Sequence, residues 1–311
     1  MLNRLRFRQL KDRSAGLAMA VVAGLAAALV MLIVVGLLTR SWPLLGSRPL
    51  GELLTSSRWS PQRGEFGFLP FILGTLWVTT LAMVLAVPPC LLSAIYLSEY
   101  APRRLREAIK PLLDLLAGIP SVVYGLWGVL VCVPLIRNTI APWASQRLSF
   151  IPMLAVDNPT GYSTLAGGIV LAVMVFPVII SVTQEVIRAV PDGLREASLA
   201  LGATRWQMIK GVVLRRSLPG VIAAVVLGFS RAFGETMAVM MVAGNVVQAP
   251  RSIFDAAYTL PALIANNYGE MMSIPLYDSA LMTAALLLLM IVMLFTFAAR
   301  AALLRAVRRA A

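Results

Sequence analysis

The chain has 311 residues, of which 59% are hydrophobic and only 13% charged. Soluble domains carry about 25% charged residues, so this balance excludes an ordinary water-soluble globule and points to lipid. The formal net charge of +13 resides mostly in short basic segments beside long apolar runs, where such residues set membrane orientation, and the aromatic-rich basic surface that single-stranded nucleic acid needs is missing.

In chain order, six segments reach the roughly 20 apolar residues needed to cross the hydrocarbon: residues 15–38, 68–97, 111–136, 165–187, 218–243 and 280–299. Backbone groups in lipid must pair internally, so each is read as a helix, and the fold class is an all-α integral membrane protein. Arg4, Arg6, Arg8, Lys11 and Arg13 precede the first segment. Its apolar stretch exceeds the roughly 7–15 residues of a signal-peptide core, so it is read as a retained helix.

The second segment carries Pro70, Pro88 and Pro89, the third Gly118, Pro120, Gly125 and Gly128, and the fourth Pro177. Proline kinks a membrane helix and small residues let helices approach. These features suit a bundle that lines a path, and equally ordinary close packing. Ser121 follows Pro120 and is a candidate for the path; a helix-to-helix hydrogen bond is the plainer use of its hydroxyl.

Placing the N-terminus in the cytoplasm puts Arg103, Arg104, Arg106 and Lys110, the six basic residues from Arg188 to Arg216, and Arg300 onward on the same side. The opposite side then holds fewer: Arg40, Arg48, Arg58, Arg63, Arg137, Arg147 and Arg251. The positive-inside rule therefore favours both termini inside. Asp114 and Glu185 fall near the inner ends of spans and read as boundary residues. Cys90 and Cys132 fall near opposite faces, farther apart than the ~7 Å between Cα atoms that a disulfide tolerates. With no histidine in the chain and no Cys/His cluster, neither a metal site nor a catalytic residue is expected.

The inner loop 190–214 reads as two short helices. Asp192 after Pro191 is a candidate N-cap, Gly202 supplies a left-handed stop, and a second helix begins near Ala203 or Thr204 with Trp206, Ile209 and Val213 at helical spacing. Small residues at Ala197, Ser198, Ala200 and Ala203 suit a partner that approaches closely; an amphipathic hairpin on the membrane surface is the other reading. Glu196-Ala197-Ser198, followed after three residues by Gly202, resembles the Glu-Ala-Ala…Gly loop of permease subunits in bacterial ABC importers. The resemblance implies coupling helices in which Glu196, Ala197 and Gly202 dock on an ATPase subunit. Ser198 stands where the family has Ala, and the Leu-Pro pair arrives late, at Leu218-Pro219. No Gly-x4-Gly-Lys-Ser/Thr surrounds Lys11, Lys110 or Lys210, so no cofactor is expected in this chain, and ATP and Mg would be bound by partner subunits.

The fifth segment contains Arg231 near its middle, with Glu235 four residues on and hence predicted on the same helical face. Burying Arg at mid-membrane costs ~2.5–3.5 kcal/mol. Either the two residues form an internal ion pair that fixes packing, or the guanidinium fork serves a passing oxyanion. Residues 231–239, together with 116–128 and 66–76, resemble the permeases of the high-affinity bacterial phosphate importer, the PstC-type subunit more than its PstA-type sister. That resemblance implies a type I importer permease (MetI-like) bundle, phosphate moved by alternating access, and a PstA-type sister permease in a heterodimer. It also implies two cytoplasmic ATPase subunits and a periplasmic phosphate-binding protein that docks on the outer loops, residues 43–66 and 244–278. The expected organisation is residues 1–66 as N-terminus, first helix and periplasmic loop, 67–304 as permease core with five helices, and 305–311 as cytoplasmic tail, in the bacterial inner membrane. Two alternatives stay open: the PstA-type sister itself, and a secondary anion transporter that uses Arg231 and Glu235.

Overall fold

The computed structural model describes residues 2–147, 150–270 and 273–310, with side chains described within 11–301. The side chains of Arg4, Arg6 and Arg8 lie outside the described residues. Among the described residues, six helices are long and apolar enough to span a membrane: Lys11–Ser47, Leu69–Tyr100, Ser121–Arg147, Thr164–Arg188, Arg205–Phe233 and Tyr277–Ala301. We refer to them as spans one to six.

Two predicted boundaries move for a physical reason. Span three begins at Ser121 rather than at residue 111, because Pro120 disfavours helix at the residue before it; Ile119 is extended (φ −66°, ψ 130°). The preceding residues form a separate amphipathic helix, Arg103–Gly118. Span five stops at Phe233 instead of running to 243, and a short helix, Met237–Val242, resumes after the break. The final helix extends Tyr277–Ala310, so residues 305–310 continue it rather than form a distinct tail.

Span four is the central helix: 67% of its most apolar stretch is buried, against 0% for span one at the periphery. Glycine sets how closely its neighbours approach. A Cβ at Gly228 would stand 2.6 Å from Ile179 Cγ1, and one at Gly220 2.2 Å from Val186 Cγ1, so spans four and five meet nearly backbone to side chain. Cys90 and Cys132 are buried and unbonded to each other, as two packed apolar side chains.

The six spans define two faces. On the loop face, Ser163 caps span four by accepting from the Ala166 N–H (3.2 Å), while the Thr164 and Leu165 N–H groups donate to Asp255 O and Ile253 O, both at 2.8 Å. The orphan donors of a helix start are thus satisfied by the segment between spans five and six. That segment folds into the bundle: Phe254, Ala256–Leu260 and Ala262–Leu263 are buried, and the Leu260 N–H donates to Thr75 Oγ1 (2.9 Å). Trp59, from the short β-hairpin 59–66, packs its ring on Phe66, Phe68, Phe71 and Tyr277 with centroids 5.0–6.4 Å apart. On the opposite face, which we call the hairpin face, lie residues 190–208.

Candidate translocation path and coupling hairpin

The break in span five decides how its two charges are held. Arg231 lies in the last turn of the helix Leu214–Phe233, where the negative end of the dipole favours a cation. Glu235 lies beyond the break; its Oε1 accepts the Ala238 N–H at 3.2 Å, at the start of Met237–Val242, where an anion is favoured. The predicted same-face pairing therefore does not occur, because the helical ladder that would align residues four apart is interrupted at Gly234. Among the described residues, Arg231 makes no ion pair or hydrogen bond, and its side chain is exposed in the single chain.

The short helix Met237–Val242 that follows the break in span five packs on the first turns of span three. A Cβ at Gly125 would stand 2.7 Å from Met241 Sδ and 3.1 Å from Ala238 Cα, and one at Gly128 2.8 Å from Val242 Cγ1; close packing is the use of both glycines, whereas Gly118 has open space. Tyr124 turns back across Pro120 and donates its hydroxyl to Leu116 O (2.8 Å), and it lies within the electrostatic reach of Arg231. Ser121, half-buried at the first position after Pro120, makes no hydrogen bond to a described residue, so the predicted helix-to-helix bond is not formed and its hydroxyl is free.

At the hairpin face, Asp192–Ala200 forms the first hairpin helix and Arg205 begins span five directly. The second predicted short helix is thus the first turns of a span. Gly202 has φ +83°. Its N–H donates to Leu199 O (2.9 Å) and the Ala203 N–H to Ser198 O (3.2 Å), the Schellman closure that a left-handed glycine permits. Thr204 and Gln207 complete a capping box. Asp192 is not the cap: it is the first helical residue, after Pro191, and its carboxylate pairs with Arg195 (3.1 Å). Glu196, Ala197 and Gly202 are exposed, beside exposed Leu199 (45%), Leu201 (89%) and Trp206 (51%). Ile209 and Val213 are fully buried, while Trp206 turns outward despite its matching spacing.

The model of the binding-protein-dependent transport system inner membrane component family matches residues 90–309. The chain belongs to this family. Relatives over most of the chain include PstC permeases: the phosphate transport system permease protein PstC of Xylella fastidiosa is 39% identical over 82% of this chain and 79% of that protein, and that of Mesorhizobium japonicum 37% over 90% and 88%. The probable ABC transporter permease protein YqgH of Bacillus subtilis is 41% identical over 78% and 74%. The inward-facing MetNI methionine ABC transporter shares the fold, with TM-score 0.53 at 20% identity, covering 75% of this chain and 93% of that one. This permease is accordingly a multi-pass membrane transport component with a MetI-like bundle, not an enzyme.

Several residues of the permease that sequence reasoning counted only as orientation charges have defined partners. Arg195 and Arg205 reach the end of span two at Glu99 and Tyr100. Arg106 donates to Leu97 O (2.9 Å) and Ala101 O (3.1 Å), capping the same end. A carboxylate closing a long apolar run is the one signal that could have flagged Glu99. Asp114 and Glu185 are exposed near the hairpin face. The loop face holds a cavity of about 980 Å³, bordered by Asn158, Thr160, Asn245, Gln248 and Arg251.

Proposed function

We propose that this permease carries inorganic phosphate inward as the PstC-type half of an ATP-driven importer, paired with a PstA-type sister. The observation that carries the substrate assignment is the guanidinium of Arg231, at a helix break in a membrane span, with no ion pair or hydrogen bond to a described residue and exposed in the single chain. Such a charge is costly in lipid and requires a polar counterpart, which a transient oxyanion on the path supplies by accepting two parallel guanidinium N–H bonds. Relatives named for phosphate transport support the same reading. A site of this kind binds weakly, because a tight site on the path would trap its cargo.

Glu196, Ala197 and Gly202 present the hairpin to a cytoplasmic ATPase, two copies serving the heterodimer, which bind ATP and Mg. Exposed Leu199 and Leu201 add an apolar surface that burial under a partner would cover. A phosphate-binding protein docks on the loop face. Most of residues 254–263 are buried in the fold, so its footprint falls on the exposed parts of loops 43–66 and 244–278, together with Asn158–Thr160 at the rim of the large cavity. Both termini then lie in the cytoplasm, and alternating access exposes Arg231 first to one face and then to the other.

Uptake of labelled phosphate in a strain lacking the gene tests the reading. Restoration by the wild-type gene and loss with Arg231→Gln, in a complex that still assembles, is the expected result. Normal uptake by Arg231→Gln would reduce the residue to packing.

A further inference from the structure

One guanidinium in the hairpin faces away from the docking surface. Arg195 precedes Glu196 on the same helix, and a helix turns about 100° per residue, so Glu196 is exposed while the Arg195 side chain is only 14% exposed. Its Nη2 lies 3.0 Å from Glu99 Oε1, and the Glu99 side chain is 6% exposed. The same nitrogen donates to Ile187 O (2.9 Å) at the end of span four, and Nη1 donates to Val190 O and to Asp192 Oδ1. A single side chain thus joins the first hairpin helix to the ends of spans two and four.

The second arm reaches the same residue. Arg205 donates to the Glu99 carbonyl oxygen and stacks over the Tyr100 ring, 4.8 Å from its centroid. Ile95 of span two also packs against the apolar cluster formed by Ile187, Val190, Met208, Ile209 and Val213. Buried ion pairs are a weak source of stability, since hydrophobic replacements of the same shape do as well, and their better-attested use is to fix one geometry. Here the geometry fixed is the angle of the hairpin against span two.

We propose that Glu99 and Arg195 are positioning residues for coupling: their ion pair is the joint through which force on the hairpin is delivered to span two. Movement of the Glu196 face under a partner then turns span two together with span four. Without the joint, the hairpin still docks but pivots locally. This inference rests on the reading of the hairpin as an ATPase dock.

The test uses the full importer reconstituted in liposomes, with Glu99→Gln, Glu99→Asp and Arg195→Lys in this chain. The expected result for Glu99→Gln and Arg195→Lys is retained ATPase subunits and retained basal hydrolysis, with phosphate moved per ATP falling about tenfold, within the usual span of coupling energies; Glu99→Asp, which keeps the charge, recovers part of the loss. An unchanged ratio in both variants overturns the joint, as does loss of the ATPase from both, which would make the pair a determinant of docking instead. Spin labels at Gly193→Cys, exposed on the same hairpin helix with open space around it, and at Leu85→Cys give a second readout independent of substrate. In the wild type their separation should stay the same and narrowly distributed on ATP binding, as within a rigid unit, and should shift or broaden in Glu99→Gln; equal distributions overturn the proposal. A wild-type importer that keeps this separation on ATP binding but moves no phosphate would defeat the substrate assignment and leave the joint standing.

Discussion

Arg231 and Glu235 stand on opposite sides of a helix break, the first in the closing turn of one helix and the second accepting the Ala238 N–H that opens the next. Each charge is held by a helix end instead of by the other. This leaves the guanidinium available to a ligand. Arg231→Gln is expected to lower phosphate uptake roughly tenfold to a hundredfold, the equivalent of losing charge-assisted hydrogen bonds worth about 1.5–3 kcal/mol. Arg231→Lys, which keeps the charge without the fork, should fall between the two. Initial uptake rates in whole cells check both.

Glu235 separates a cap from an ion pair. Glu235→Gln preserves an acceptor oxygen for Ala238 and should leave the melting temperature of the purified complex close to wild type. Glu235→Ala removes the cap and should cost about 1 kcal/mol. Equal damage from both variants would show that the carboxylate charge is what matters.

Gly202 closes the hairpin at φ +83° and donates to Leu199 O. Proline holds φ near −65° and lacks the donor, so Gly202→Pro should release or uncouple the ATPase. Gly202→Ala, strained by about 1–2 kcal/mol in this backbone region, should do so more weakly. Co-purification of the ATPase and its stimulated hydrolysis measure the effect; unchanged values for Gly202→Pro would remove the hairpin as the dock.

Gly74 lets the buried outer segment lie against span two. A Cβ there would stand 2.6 Å from the Tyr258 carbonyl oxygen, a backbone atom that cannot swing aside. Gly74→Ala should destabilise the permease by roughly 1–3 kcal/mol, as overpacking does, and reduce the yield of detergent-stable protein. A wild-type melting curve would contradict this packing.

In the permease prepared without its ATPase, Leu201, the most exposed apolar residue of the hairpin (89%), reports topology. Arg205 is unsuited to this use because it holds Glu99 and Tyr100. Cys90 and Cys132 are buried, so Leu201→Cys should supply the reactive thiol, labelled by membrane-impermeant maleimide in inverted vesicles and not in intact spheroplasts. The reverse pattern would invert the proposed orientation.

Six spans, the membrane, the left-handed stop at Gly202 and the candidate importance of Arg231 were legible in the sequence. Apolar length, a glycine after a helical run and a guanidinium in lipid each carry an energetic consequence that neighbours in the chain already reveal. The ends of spans three and five were misjudged because hydropathy does not register a backbone break. Pro120 stops a helix inside an apolar run, and the run continues through Gly234 while the hydrogen-bond ladder does not. Trp206 matched the period of Ile209 and Val213 yet turned outward, since the buried face there is set by Ile187 and Val190 of another element.

The amino-acid order by itself therefore determined what must lie in lipid and where the chain turns, because both follow from local solvation and local backbone freedom. Which charges meet was decided only in three dimensions. Glu99 and Arg195 are 96 positions apart, and nothing in either neighbourhood specifies the other. Their pairing depends on spans two and four packing side by side, which small side chains and glycines allow but do not spell out in one dimension.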